Sequence, residues 1–370
     1  MKLAVLISFS GAGGVERMVM NLVREFAQQY EQLDLLVIRA RGPHFANIPD
    51  NVSIIKLRSS HTLTAIPELM RYFKDSRPDA MLVAKDRAGR AAVIAKSLAG
   101  AKTRIVVRLG TNLSTALAHR SRISAWWRTA PMRRIYAKVD QVVAVSQGVA
   151  DDVHKITGLD KDRISVIRNP VITDDFDSKA QAPFDHPWLN KKTCPVVIGV
   201  GRLSEQKDFA TLINAFAKLL ERRPCRLIIL GDGALRQDLE AQITRLGLNE
   251  QVALPGFQDN PMCWVKAADL FVLSSRWEGS PNALTEALAV GTASVSMRCP
   301  SGPNETLDEG RFGPLVAVGD ADGLTEAMDD TLNNPLPSDV LRSAVDEYRA
   351  KTSALAYLKI LSPQIQDTQE

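Results

Sequence analysis

Short apolar runs and helix-periodic stretches alternate along almost the whole chain. LAVLIS (3–8), LDLLVI (33–38) and the apolar stretches at 53–57, 80–84, 104–109 and 141–145 have strand length. Val15–Gln29, 63–74 and 88–99 read as helices between them. The alternation restarts with PVVIGV (195–200), continues through LIIL (227–230) and VALPGF (252–257), and reaches ADLFVLSS (268–275) and TASVS (292–296). Such a pattern predicts an α/β protein of two Rossmann-like, doubly wound parallel-sheet domains. The less regular text at 172–194 predicts a linker between a first domain, 1–171, and a second, 195–340. Amphipathic helices follow Asp320, and those of 341–370 are placed after the second domain.

The crossover between the last two of these strands, EGSPNALTEALAVG (278–291), carries the densest chemistry. Ser280 is placed to cap a helix, Pro281 suits its first position, and Gly291 stands where a C-terminal glycine belongs. Glu278 then precedes the helix and Glu286 lies about a turn and a half inside it. Between them are the amides of Asn282, Ala283 and Leu284, which a helix N-terminus offers to a phosphate. A carboxylate at either end of a phosphate-binding turn suits a sugar nucleotide, with hydroxyl groups meeting the acids. Taken alone, the same spacing also fits two solvated acids at a helix entry.

Two other strand ends carry candidates. The loop after Val200 holds Arg202 and Lys207 above the carboxyl edge of the sheet, where parallel folds bind ligands. A forked guanidinium plus an ammonium suits a diphosphate. The first strand leads into SFSGAGGVERM (8–18), a glycine-rich turn containing Gly13 and Gly14. A nicotinamide dinucleotide needs an acid after the second strand, but that position reads VIRARG, with Arg39 and Arg41. Dinucleotide binding is therefore disfavoured.

Charge is unevenly distributed. Residues 1–170 carry 27 Lys and Arg against 14 Asp and Glu, while the remainder carries 19 against 28. Twelve basic residues and no acidic one lie between Asp86 and Asp140. Arg120, Arg122, Arg128, Arg133 and Arg134 there interleave with Trp126 and Trp127. That mixture suits an anionic membrane surface or the head group of a lipid-linked acceptor, and equally an ordinary helix with tryptophans in its core. No nucleic-acid motif accompanies the charge. Asp160-Lys161-Asp162 matches a DxD metal motif only formally, in a polar turn. Four scattered cysteines, without a CxxC pair, read as reduced cytosolic thiols. The first apolar run is too short for a signal peptide, and no 18-residue apolar stretch exists.

The segment from Glu278 to Asp320 resembles the donor-binding motif of retaining GT-B glycosyltransferases, the family 4-like group 1 enzymes. Gly13-Gly14-Val15-Glu16-Arg17, Arg202 with Lys207, and Gly256 at the end of VALPGF resemble further parts of that family's text. The resemblance implies the GT-B fold, with two Rossmann-like domains facing across a cleft and the last helix crossing back. It implies a hexose or HexNAc donor activated as a nucleotide diphosphate sugar, UDP favoured. The acceptor would be a lipid-linked glycan, polysaccharide or lipopolysaccharide, met at the cytoplasmic face of the membrane, with no metal or other cofactor.

By the same resemblance Arg202 and Lys207 neutralise the diphosphate, Glu286 holds the ribose and Glu278 faces the sugar. Gly13 and Gly14 lie over the donor, Gly256 stands near the base, and Ser280, Pro281, Asn282, Ala283 and Leu284 form the phosphate turn. The family's histidine after the 104–109 strand is replaced by Gly110-Thr111-Asn112, and no catalytic histidine transfers. A sugar-nucleotide epimerase of the same fold is the nearest enzymatic alternative, although its acidic, His-rich set is missing. A non-catalytic nucleotide- or lipid-binding module is the other, and turnover separates it. Paired carboxylates alone also allow a glycosidase, but no hydrolase text surrounds them.

Overall fold

A computed structural model describes residues 1–8, 13–38, 48–114 and 131–362. The chain divides into two compact units, residues 1–171 with 347–370, and residues 172–346.

The first unit holds a seven-stranded, all-parallel sheet: β1 (Leu3–Ser8), β2 (Leu33–Ile38), β3 (Val52–Lys56), β4 (Ala80–Ala84), β5 (Arg104–Leu109), β6 (Gln141–Ala144) and β7 (Ile164–Val166). Their order across the sheet is β3-β2-β1-β4-β5-β6-β7. Helices cover both faces, so the central strands are apolar without alternation. Ala4 and Leu6 face a core completed by Leu69, Phe73, Ala91 and Val149, from helices Ile66–Ser76, Asp86–Ala99 and Gln147–Thr157. Leu3, Val5 and Ile7 face the opposite core, with Val19, Phe26, Ala354 and Tyr357 from helices Gly14–Ala27 and Ala350–Leu361. Phe26 and Phe73 are fully buried, and each such side chain contributes roughly 1.5–3 kcal/mol. The C-terminal helix thus packs in the first unit.

The second unit holds six parallel strands: β8 (Val196–Val200), β9 (Arg226–Leu230), β10 (Val252–Gly256), β11 (Leu270–Leu273), β12 (Ser294–Met297) and β13 (Leu315–Val316). Their order is β10-β9-β8-β11-β12-β13. In both sheets the chain winds outward from the first strand in one direction, then returns to start beside it in the other. The reversal falls between β1 and β4, and between β8 and β11. The flanking crossovers leave on opposite faces there, so a crevice opens at the carboxyl ends of the strands.

The expected linker, 172–194, lies in the second unit. It contains short helices at Phe176–Ala180 and Pro187–Asn190. Phe184 and His186 stack against Trp264, each with ring centroids 5.3 Å apart. Asn260 Nδ2 donates to the Lys179 carbonyl at 2.7 Å. Its polar, proline-containing text therefore conceals packing contacts with a helix 80 residues on.

At the end of β9 the backbone of Gly231, with φ +138°, passes so close to β8's loop that a Cβ would lie 1.9 Å from the Gly201 carbonyl oxygen. Backbone cannot swing away as a side chain can. We expect Gly231→Ala to lower stability by more than about 2 kcal/mol. Gly247→Ala, at φ +70° in open space, should cost about 1 kcal/mol. Urea melts of the two variants check this, and equal midpoints would contradict it.

Candidate active site

The reversal between β8 and β11 gathers most of the residues singled out in the second unit. Arg202 and Lys207 belong to the loop leaving β8, and Glu278 to the loop leaving β11. Lys207 Nζ lies 2.6 Å from Glu278 Oε1, with the two side chains only 17% and 8% exposed. Glu278 Oε1 also accepts the Ser275 hydroxyl at 2.7 Å, and its backbone carbonyl accepts Ser301 Oγ at 2.7 Å. Gly201 allows the lysine stem to lie flat on the backbone, since a Cβ there would stand 3.0–3.1 Å from its Cε, Cδ and Cγ. Cys299 Sγ donates to the Ser275 carbonyl at 2.9 Å. Burial, and then the Glu278 charge, push its thiol up to about 12, with Lys207 opposing. It is a packing residue at any ordinary pH. Arg202 is exposed and has no ion-pair partner among the described residues.

The helix start departs from expectation. The helix runs Asn282–Ala289, and Pro281, at φ −80° and ψ 87°, occupies the cap position without a side-chain bond. Ser280 does not cap it: its hydroxyl is buried and has no hydrogen-bond partner among the described residues. The Leu284 amide donates to the Pro281 carbonyl at 3.0 Å, so it is not open to a phosphate as expected. Asn282 and Ala283 form the first turn of that helix. Gly291 ends the crossover at φ +82°. Glu286, one turn after Asn282, is buried. Gly256, at φ +91°, closes β10, and its carbonyl accepts the Gly231 amide at 2.9 Å. Phe257 beyond it is 58% exposed.

Gly13 and Gly14 belong to the first unit. Gly13 precedes the helix Gly14–Ala27, and the Glu16 carboxylate folds back over it, 2.5 Å from where a Cβ would be. Glu16 is buried and meets Lys85 Nζ at 2.8 Å; the same ammonium donates to the Ser8 carbonyl at 2.9 Å. This pair stands at the reversal between β1 and β4. The motif's glutamate was legible in the sequence, but its lysine partner was not, since Lys85 sits in a helix-entry text with no motif.

The basic run is partly spent inside the protein. Lys96 pairs with Asp140 and Arg90 with Asp86, each at 2.9 Å, so the two acids bounding the run are its own counter-ions. Arg104 Nε donates to the Ile360 carbonyl, and buried Arg108 bonds Asn169 Oδ1. Residues 131–136 are helical, with Arg133 and Arg134 exposed. Arg120, Arg122, Trp126, Trp127 and Arg128 lie outside the described residues, as does His119. Asp160-Lys161-Asp162 falls at a 3₁₀ turn, and among the described residues no cluster of three His, Cys, Asp or Glu could hold a metal. No helix among them is long and apolar enough to cross a membrane.

Comparison with known proteins agrees with this fold. The family described as "Glycosyl transferases group 1" matches residues 182–352, and "Glycosyltransferase Family 4" matches residues 12–175. The N-acetylgalactosamine-N,N'-diacetylbacillosaminyl-diphospho-undecaprenol 4-alpha-N-acetylgalactosaminyltransferase of Campylobacter jejuni is 29% identical over 97% of this chain and 96% of its own. The lipopolysaccharide core biosynthesis glycosyltransferase LpsE of Rhizobium meliloti is 33% identical over 63% of this chain and 67% of its own. Among solved structures, Anabaena HepE in complex with UDP and glucose superposes with a TM-score of 0.78 at 20% identity, covering 98% of this chain and 100% of its own. With both family matches, the two doubly wound sheets and a full-length relative, the chain belongs to the family 4-like glycosyltransferases of GT-B fold.

Proposed function

We propose that this glycosyltransferase moves a hexose or HexNAc from a UDP-sugar, with retention of configuration, to a lipid-linked or lipopolysaccharide-type acceptor. One observation carries the reading: Lys207 meets the buried carboxylate of Glu278 at the sheet reversal between β8 and β11, with Arg202 on the same loop as Lys207 and a second acid in the helix that follows. The Campylobacter relative, which acts on a diphospho-undecaprenol glycan, and HepE, solved with UDP, support the choice of donor and acceptor class.

In this reading Arg202 and Lys207 neutralise the diphosphate as it departs, together with the helix start at Asn282 and Ala283. In this reading the two cations supply charge stabilisation that other transferases draw from a metal, and no metal is required. Glu286 accepts both ribose hydroxyls. Glu278 faces the sugar, and Lys207 holds it in place until the donor arrives. The acceptor hydroxyl attacks from the leaving-group face, and its proton passes to a donor phosphate oxygen as the C1–O bond breaks. Arg133 and Arg134, with the neighbouring basic and tryptophan positions at 120–128, hold the protein at the anionic surface where a lipid-linked acceptor emerges.

Arg202→Ala should lower kcat/KM at least tenfold, since a hydrogen bond to a charged group is worth ~1.5–3 kcal/mol. Release of UDP from UDP-GalNAc and UDP-glucose by the folded variant checks it, and unchanged kinetics would remove Arg202 from the site.

Glu286→Gln should weaken UDP binding. Glu278→Gln should not, because it removes the anion that competes with phosphate for Lys207, but it should depress turnover. Calorimetry decides, and equal losses of UDP affinity would refute the division between the two acids.

At low salt the wild type should float with anionic vesicles but not neutral ones. The interaction should fade as the Debye length falls from ~10 Å at 0.1 M to ~3 Å at 1 M. The Arg133→Glu, Arg134→Glu double variant should lose it. Binding of the wild type to neither vesicle would place the acceptor in solution.

A further inference from the structure

Five hydrogen bonds stitch the loop leaving β8 to the loop leaving β11. The Arg276 amide donates to the Gln206 carbonyl at 2.8 Å, and Gln206 Nε2 to the Trp277 carbonyl at 3.0 Å. Ser274 Oγ donates to the Lys207 carbonyl at 2.7 Å. Lys207 Nζ meets Glu278 at 2.6 Å, and Arg276 Nε meets Asp208 Oδ2 at 2.9 Å. Three of these end on a backbone carbonyl, and the first is wholly backbone. The other two are ion pairs, and they are adjacent.

Asp208 is an unusual residue for its place. It is buried, and its backbone is left-handed at φ +46°. A non-glycine residue held there stores strain, which Asp tolerates better than most, and such strain collects at functional sites. Its carboxylate also accepts Thr211 Oγ1 at 2.9 Å, at the entry to the helix Phe209–Leu220. Arg276 has a side chain 54% exposed against 4% for Asp208. An ion pair with one arm in water adds little to stability. Its value lies in register. One loop presents a cation then an anion, Lys207 and Asp208; the other presents a cation and then an anion, Arg276 and Glu278. Only the crossed arrangement matches opposite charges. The uncrossed one would set Lys207 against Arg276 and Asp208 against Glu278, so mispairing is penalised as well as correct pairing favoured.

We propose that the Asp208–Arg276 ion pair is a positioning device, which locks the register of the two loops and so fixes where the Lys207 ammonium meets a diphosphate. This rests on the reading of Lys207 given above. Small displacements of a charge aimed at a leaving group are costly, so a pair that touches no substrate can still govern the site.

The test is calorimetric, with UDP and inorganic pyrophosphate as probes of the full-length protein. Lys207→Ala should weaken both about tenfold or more. Arg276→Met and Asp208→Asn should each weaken them several-fold while the melting temperature stays close to wild type, and Arg276→Lys should recover part of the loss. Because the pair acts through Lys207, Arg276→Met should add nothing in the Lys207→Ala background. A merely structural role would weaken binding by the same factor whether or not Lys207 is present, and that additivity would overturn the proposal. So would a strong effect of Lys207→Ala with none from Arg276→Met. No effect from Lys207→Ala would overturn the diphosphate reading itself.

Discussion

The bond between Lys207 and Glu278, 2.6 Å long and largely out of water, is the interaction around which the second unit's site is organised. Removing both charges from solvent costs much of what their attraction returns, so the pair is weak as a source of stability. What it accomplishes is geometric. It holds a lysine and a glutamate side by side at a strand end, with Ser275 and Ser301 satisfying the carboxylate and its backbone. The crevice that holds them exists because the sheet reverses direction between β8 and β11.

The first unit repeats this solution with different residues. Glu16 follows β1, Lys85 follows β4, and they meet at 2.8 Å across that sheet's own reversal. In each unit a pair more than sixty positions apart is brought together by strand order alone. Glycines allow the close approach in both: Gly13 leaves room for a carboxylate, and Gly201 for a lysine stem.

Charge counted along the chain proved a poor guide to charge presented at the surface. The stretch between Asp86 and Asp140 holds twelve bases, yet Arg90, Lys96, Arg104 and Arg108 have partners within the fold. The two flanking acids neutralise two of them. What is left exposed on the described residues includes Arg87, Lys102, Arg133, Arg134 and Lys138, and these can meet an anionic partner.

Local signals fixed the elements. Strands β1, β2, β4 and β5 have the expected bounds because buried parallel strands are continuous apolar runs with sharp polar ends. The helix between β11 and β12 was legible from its composition and from Gly291, though its first residue was not. Ser280 suits a cap, but here it points into packed surroundings and Pro281 takes the position. Arg202, Lys207, Glu278 and Glu286 could be picked out because spacing at strand ends is local information. Their partners could not. Nothing near Lys207 announces Glu278, nothing near Arg276 announces Asp208, and the 172–194 text gives no sign of Trp264. A sequence determines which groups stand at strand ends; the order in which strands assemble decides which of those groups meet, because that order alone sets the distance between residues far apart in the chain.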